Sequence, residues 1–388
     1  MTFDDTRSID LLQRVPRKGP FASLKRDFFW GRRSCFILVK FSFLARSCSL
    51  PREELSGGPA SMTIGYDPTD FNELTVLAKW RGTVLPRVLC RPIFWVLMSA
   101  HLCFYYINNY RTDITLPPLP WKLTTVPTTL LVFFLVFYSA NCYTRYYALY
   151  NHCMGMSGTV MAFTGLLRVH LPKASPDKLW NLSRLMIASV YLLYFQLSGG
   201  ASDGGKRVTM SEWEVLLQTG LISQEEQKRA DNFRGFRPFL LQIWALRALQ
   251  DHLAEDKEKG PGANLKSFET LAIQLRSHCA EIVDQMTQPV PFPYYHTLTL
   301  MLSLNLLMVS YSLIEFETIL TIPCFFIIVL VTIGLKETSI ALADPFGSAD
   351  VDFETENYMA AVLANCKAII SPAADYTPML LPIMAKKK

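Results

Sequence analysis

Thr128-Thr129-Leu130-Leu131-Val132-Phe133-Phe134-Leu135-Val136-Phe137-Tyr138-Ser139-Ala140-Asn141-Cys142-Tyr143 runs directly into Thr144-Arg145-Tyr146-Tyr147. Residues 128–143 carry no charge, and Asn141 is their most polar member. A straight membrane helix needs about 20 residues, so the stretch reads as a span continued into polar flanks, residues 128–147. An arginine at membrane depth costs about 2.5–3.5 kcal/mol on insertion scales, so Arg145 at the end of the span must meet water, a headgroup or a partner. It can snorkel to the interface or attract anions into a vestibule. Thr129, Phe133 and Phe137 recur every four residues and therefore share one stripe of the helix. Aromatics on such a stripe ordinarily pack or touch lipid; lining a conduit is the alternative.

The same reading extends to other stretches. Residues 93–107 are apolar apart from His101. Residues 294–313 form an apolar run opened by Pro291-Phe292-Pro293, and residues 319–335 form another with Pro323 in its first turns. Glu315 and Glu317 fall in the short link between these two, as in a tight hairpin at an interface. Hydropathy thus gives four spans, at about 93–110, 128–147, 294–313 and 318–335. Residues 157–290 instead alternate apolar and charged turns, the pattern of helices outside the membrane. Ser211 with Glu214 and Ser223 with Glu226 each read as a capping box, and Gly220 supplies a left-handed stop between two helices. Residues 185–197 are apolar but too short to cross and read as a buried helix. Residues 251–266, with Gly260-Pro261-Gly262, read as a wet loop or frayed helix.

Composition agrees with a membrane protein. Half of the 388 residues are apolar, 12% are aromatic and only 18% are charged, against about a quarter charged in average soluble proteins. The net charge of +5 is small and scattered, which excludes a nucleic-acid partner. Nine cysteines are present without a CxxC pair, so they read as small buried apolar side chains rather than a zinc or disulfide framework. The common catalytic motifs are absent. Residues 1–61 form a basic N-terminal extension around a short apolar patch, expected to be mostly disordered: a transit peptide, a basic arm or an over-long gene model. Residues 367–388 are expected to form a short C-terminal tail ending in Lys386-Lys387-Lys388.

The motifs resemble those of the bestrophin family of anion channels. Val136-Phe137-Tyr138, then Thr144-Arg145-Tyr146-Tyr147 and Tyr150-Asn151, are similar to the family's second-span signature. Trp80-Arg81-Gly82-Thr83 resembles its Trp-Arg-Gly-Ser before the first span, and Pro291-Phe292-Pro293-Tyr294-Tyr295 lies at its third-span entry. Asp344-Pro345-Phe346-Gly347 followed by an acidic run resembles its calcium-binding turn. The resemblance covers residues 62–366. It implies an all-α integral membrane protein with four transmembrane helices and a large cytosolic helical region, assembled as a ring of five identical chains in lipid.

On this resemblance the expected function is passive chloride or bicarbonate conduction through a central pore. Phe133 and Phe137 match the aromatic neck, with Thr129 where a branched aliphatic is expected, so that level is easier to wet. Arg145 would raise the local anion concentration. In the acidic run Ser348, Ala349 and Val351 interrupt the family's carboxylates, leaving Asp350 and Asp352 flanked by Asp344 and Glu354. A calcium ion wants six to eight oxygens, so these residues are a candidate Ca2+ site or a solvated helix cap. Other readings are a membrane enzyme using His296 or His152 as general base, and a membrane scaffold binding proteins through residues 157–291. The basic residues place the termini and central region on the cytosolic side, Lys122 being the exception. The plasma membrane is the expected location, with an organellar membrane such as the thylakoid as the alternative.

Overall fold

The structure, a computed structural model, describes residues 82–110, 117–198, 208–255, 265–288, 290–347 and 351–371. The basic extension, Trp80 and Arg81, the Gly260-Pro261-Gly262 stretch, Asp350 and the tail beyond residue 371 lie outside them. Every regular element among the described residues is helical: α1 Val84–Leu89, α2 Pro92–Tyr110, α3 Trp121–His170, α4 Pro176–Leu197, α5 Met210–Gln218, α6 Gln224–Asn232, α7 Arg237–Glu255, α8 Leu265–Thr287, α9 Phe292–Ser312, α10 Thr321–Ala343 and α11 Thr355–Ile370.

Three of these helices are long and apolar enough to cross a membrane: α3, α9 with the turn after it, and α10. α2 is a 19-residue helix at the place of the expected first span. His101, Asn108 and Asn109 dilute its apolar character. It still joins the same apolar core, through Phe94, Leu97 and Met98 packed with residues of α3, α9 and α10. The α9–α10 connection is the expected tight hairpin. A 3-10 turn, Leu313–Phe316, leads to Glu317, whose φ of 48° reverses the chain.

α3 has 50 residues, about 75 Å at 1.5 Å per residue, far more than the roughly 30 Å of hydrocarbon in a bilayer. The expected span covers residues 128–147 and the helices outside the membrane begin at 157; the backbone helix runs without a break between the two, from Trp121 to His170. Hydropathy falls along it, but the period of its buried face does not break: Leu149, Cys153, Met156, Val160, Phe163 and Leu167 keep the spacing set by Leu131, Leu135, Tyr138 and Cys142. The first part of α3 belongs to one apolar core with α2, α9 and α10. Its second part belongs to another, with α4 to α8 and α11. One rod therefore joins the two halves of the fold.

In the second core, α4 contains the expected buried helix, enclosed at every residue from Leu185 to Tyr194. The capping box at Ser223 and Glu226 is formed, and Gly220 adopts φ 70° as the stop before it. The other box is shifted: Thr209, not Ser211, caps α5, accepting from the Glu212 amide while Glu212 returns to the Thr209 amide. Both pairs fit the pattern. Burial of Val208 and Trp213 seats the chain so that the helix starts at Met210 and encloses Ser211.

α11 falls where the reading expected the domain to end at residue 366; the helix runs on to Ile370. It buries Met359, Val362, Cys366 and Ile370. Tyr191 of α4 donates to the Met359 carbonyl at 3.0 Å and Arg168 of α3 donates to the Ile370 carbonyl at 2.6 Å. Cys142, Cys153, Cys279 and Cys366 are buried as expected, but Cys90, Cys103 and Cys324 are exposed on this single chain.

Candidate functional site: the exposed face of α3 and the acidic link

α3 has two faces in its membrane part. Leu131, Leu135, Tyr138 and Cys142 are buried against α9 and α10. Polar pairs fix the register. Asn305 of α9 donates to the Thr128 hydroxyl at 3.1 Å, the Ser139 and Ser339 hydroxyls meet at 2.7 Å, and Tyr294 donates to the Phe134 carbonyl at 3.2 Å. Such bonds are worth about 0.6 kcal/mol each between membrane helices, with a maximum near 1.7. They act here as alignment pins.

The opposite face is uncovered. Thr129 is exposed, as are Phe133 at 65% and Phe137 at 53%. The structure thus brings the three expected neck residues together on one open stripe. The stripe continues through Ala140, Thr144 and Tyr147 to Asn151, all exposed. Phe133 meets Phe134 edge to face at 5.9 Å and Phe137 meets Tyr294 edge to face at 6.4 Å, so neighbours support both rings. The Thr129 hydroxyl donates to the Thr125 carbonyl at 2.8 Å.

Arg145 is more constrained than the sequence suggests. It is half-buried and donates to the carbonyl of Gln288 at 2.8 Å, beyond the end of α8, beside the Met286 sulfur. Asp344 is the carboxylate acting on its charge. The guanidinium therefore ties α3 to the start of the α9 segment as well as placing positive charge near the base of the stripe. Nothing in the local sequence points to a partner 143 residues away.

The link after α10 is anchored by aromatics. Phe346 and Phe353 are buried and meet edge to face at 5.5 Å, and the Phe353 amide donates to the Pro345 carbonyl at 2.8 Å. Tyr146 of α3 packs on Phe353 at 4.8 Å and donates to the Val351 carbonyl at 3.2 Å. Gly347 permits the closure, since a Cβ there would lie 2.7 Å from an oxygen of the Asp352 carboxylate.

Of the proposed calcium residues, Asp352 is buried, Asp344 is exposed, and Glu354 accepts from Asn357; Asp350 lies outside the described residues. Among the described residues no group of three or more His, Cys, Asp or Glu is arranged to hold a metal.

The two candidate general bases are in unlike places. His296 is exposed and stacks on Phe292 at 5.8 Å. His152 lies with its Nδ1 3.3 Å from Nδ1 of His278.

The family model described as bacterial/fungal bestrophin protein matches residues 66–368. No match is found among curated proteins. Among solved structures, a bacterial bestrophin homologue from Klebsiella pneumoniae shares 16% identity, with 72% of this chain and 97% of that chain covered and a TM-score of 0.63. A mutated form of a Klebsiella pneumoniae homologue gives 16% identity, coverage of 70% and 95%, and a TM-score of 0.61. A crystal structure described as that of a membrane protein gives 15%, 72%, 97% and 0.63.

Proposed function

As this chain belongs to the bestrophin family, we propose that it is an anion channel in which identical copies of α3 surround a central pathway. Its role is passive conduction of chloride or bicarbonate, with no enzymatic step. The observation that carries this reading is the open stripe of α3. Within the span it is apolar at Phe133, Val136 and Phe137 but includes Thr129 and Thr144. A face meeting only acyl chains gains nothing from those polar groups, whereas a partly hydrated passage does. Phenylalanine edges carry partial positive charge, which suits a partly dehydrated anion.

A ring is required because three or four spans per chain leave little surface on which to enclose a polar conduit. Five copies is the number that the bestrophin resemblance implies. α2 supplies the fourth span of each copy, short but packed in the same apolar core. α4 to α8 and α11 form the cytosolic mass, and lipid covers the outward faces. The membrane we favour is the plasma membrane. Calcium enters as regulation only, through residues 344–354; conduction itself uses the α3 stripe and the charge of Arg145.

The test is anion flux from the purified full chain in liposomes, with and without calcium. Phe133→Ala and Phe137→Ala together should change selectivity among anions or remove closure. Unchanged flux and selectivity in the double variant would overturn the neck assignment, and absence of flux under all conditions would overturn the channel.

A further inference from the structure

His152 of α3 and His278 of α8 face each other with their Nδ1 atoms 3.3 Å apart and ring centroids 5.5 Å apart. The approach depends on Gly155, one turn along α3: a Cβ there would sit 2.6 Å from Cε1 of His278, so the imidazole lies directly on the backbone of α3. Both side chains are partly exposed, so solvent protons reach them. They join the rod that carries the Phe133 and Phe137 stripe to the helix whose C-terminal side is held by Arg145 through Gln288.

We propose that the His152–His278 pair is a proton-sensitive tie between α3 and α8, closed at neutral pH and released in acid. Two facing imidazole nitrogens share one hydrogen when the pair is neutral. The bond survives the first added proton, since an imidazolium donates to its neutral neighbour. A second proton leaves two donors and two like charges in contact, and the tie must open.

The surroundings support the closed form near neutrality. Burial, and then the neighbouring His152, hold His278 below the ordinary imidazole range, against an opposing pull from Glu281 on its own helix. From α7 the polar side chain reaching this level is Gln242, which is uncharged and donates to the Cys279 sulfur at 3.9 Å. His152 and Glu281 are thus the titratable groups acting on His278. Release falls on the acid side of the usual imidazole value of about 6.5.

This inference uses the channel reading only for its effect on flux, so the experiment has two arms. The full-length chain in detergent is melted from about pH 7.5 to about pH 5, the interval over which histidine changes charge. The same protein in liposomes is assayed for chloride flux across that range. Wild type should lose thermal stability in acid and change its flux by about fivefold, the low end of coupling between sites. His278→Gln and His152→Gln, each able to offer one hydrogen bond without titrating, should flatten both profiles. A melting profile in either variant that still follows wild type overturns the tie. A flattened melting profile with no flux at any pH supports the tie and overturns the channel.

Discussion

Replacing Glu226 by alanine should remove about 2–3 kcal/mol of stability from the corner between α5 and α6. Glu226 makes two contributions there. As the third residue of α6 it accepts from the Ser223 amide at 2.8 Å, and loss of such a cap costs about 1 kcal/mol. It also receives both terminal nitrogens of Arg184 at 2.8 Å, between side chains 18% and 22% exposed. After loss of hydration, a charge-assisted pair of this kind contributes about 1–2 kcal/mol. Arg184 also donates to the Leu221 carbonyl at 2.9 Å, so α4, the Gly220 turn and α6 share one polar joint.

Denaturant unfolding of the full chain in detergent, followed by tryptophan fluorescence, reads the loss, and Trp213 is buried in the adjoining helix. Glu226→Gln, which keeps an acceptor for the cap, should fall between wild type and alanine. Burial works against the charged carboxylate, but the hydrogen bonds from Arg184 and Ser223 outweigh it and hold Glu226 below its ordinary value. Its stabilisation is therefore complete above the unfolded glutamate value of about 4.3 and declines as pH falls through the lower folded value. A Glu226→Ala loss under about 1 kcal/mol, or an equal loss at pH 7 and pH 3, would refute the reasoning.

Arg145→Lys keeps the charge but not the guanidinium reach to Gln288. If the tie matters as much as the charge, chloride flux in liposomes should fall severalfold in the lysine variant, while preserved flux would assign the residue to electrostatics alone. Asn305→Leu removes the bond to Thr128, whose hydroxyl can turn to its own helix; unfolding should show a loss of about 0.6 kcal/mol, and not more than about 2.

The parts of the fold visible in the sequence were those written in local chemistry. The runs that became α9 and α10, the Ser223–Glu226 box and the left-handed Gly220 each follow from a few neighbouring residues. Thr209 and Ser211 show where local chemistry divides: both begin a valid box, and burial of Trp213 decides between them. α11 carries a local signal as well, since Met359, Val362, Cys366 and Ile370 recur at three and four residues; the acidic run before it reads only as a candidate calcium site or a solvated helix cap, and the boundary at 366 cuts the helix short of Ile370. Of the site, the stripe was legible because Thr129, Phe133 and Phe137 are spaced on one helix. The Arg145–Gln288 bond, the His152–His278 contact and the packing of Tyr146 on Phe353 were not. Each joins residues more than a hundred positions apart.

The continuity of α3 beyond Pro127 has a mechanical consequence. Beyond Pro127, whose missing N–H interrupts the first turns, its ladder of amide bonds continues to His170, so the rod has no proline joint between the Phe133 and Phe137 stripe and its far end. On the proposed channel reading, torque applied at the His170 end would reappear as rotation of the Phe133 and Phe137 rings. On that reading, a shaft of this kind would set the aperture by turning rather than by bending.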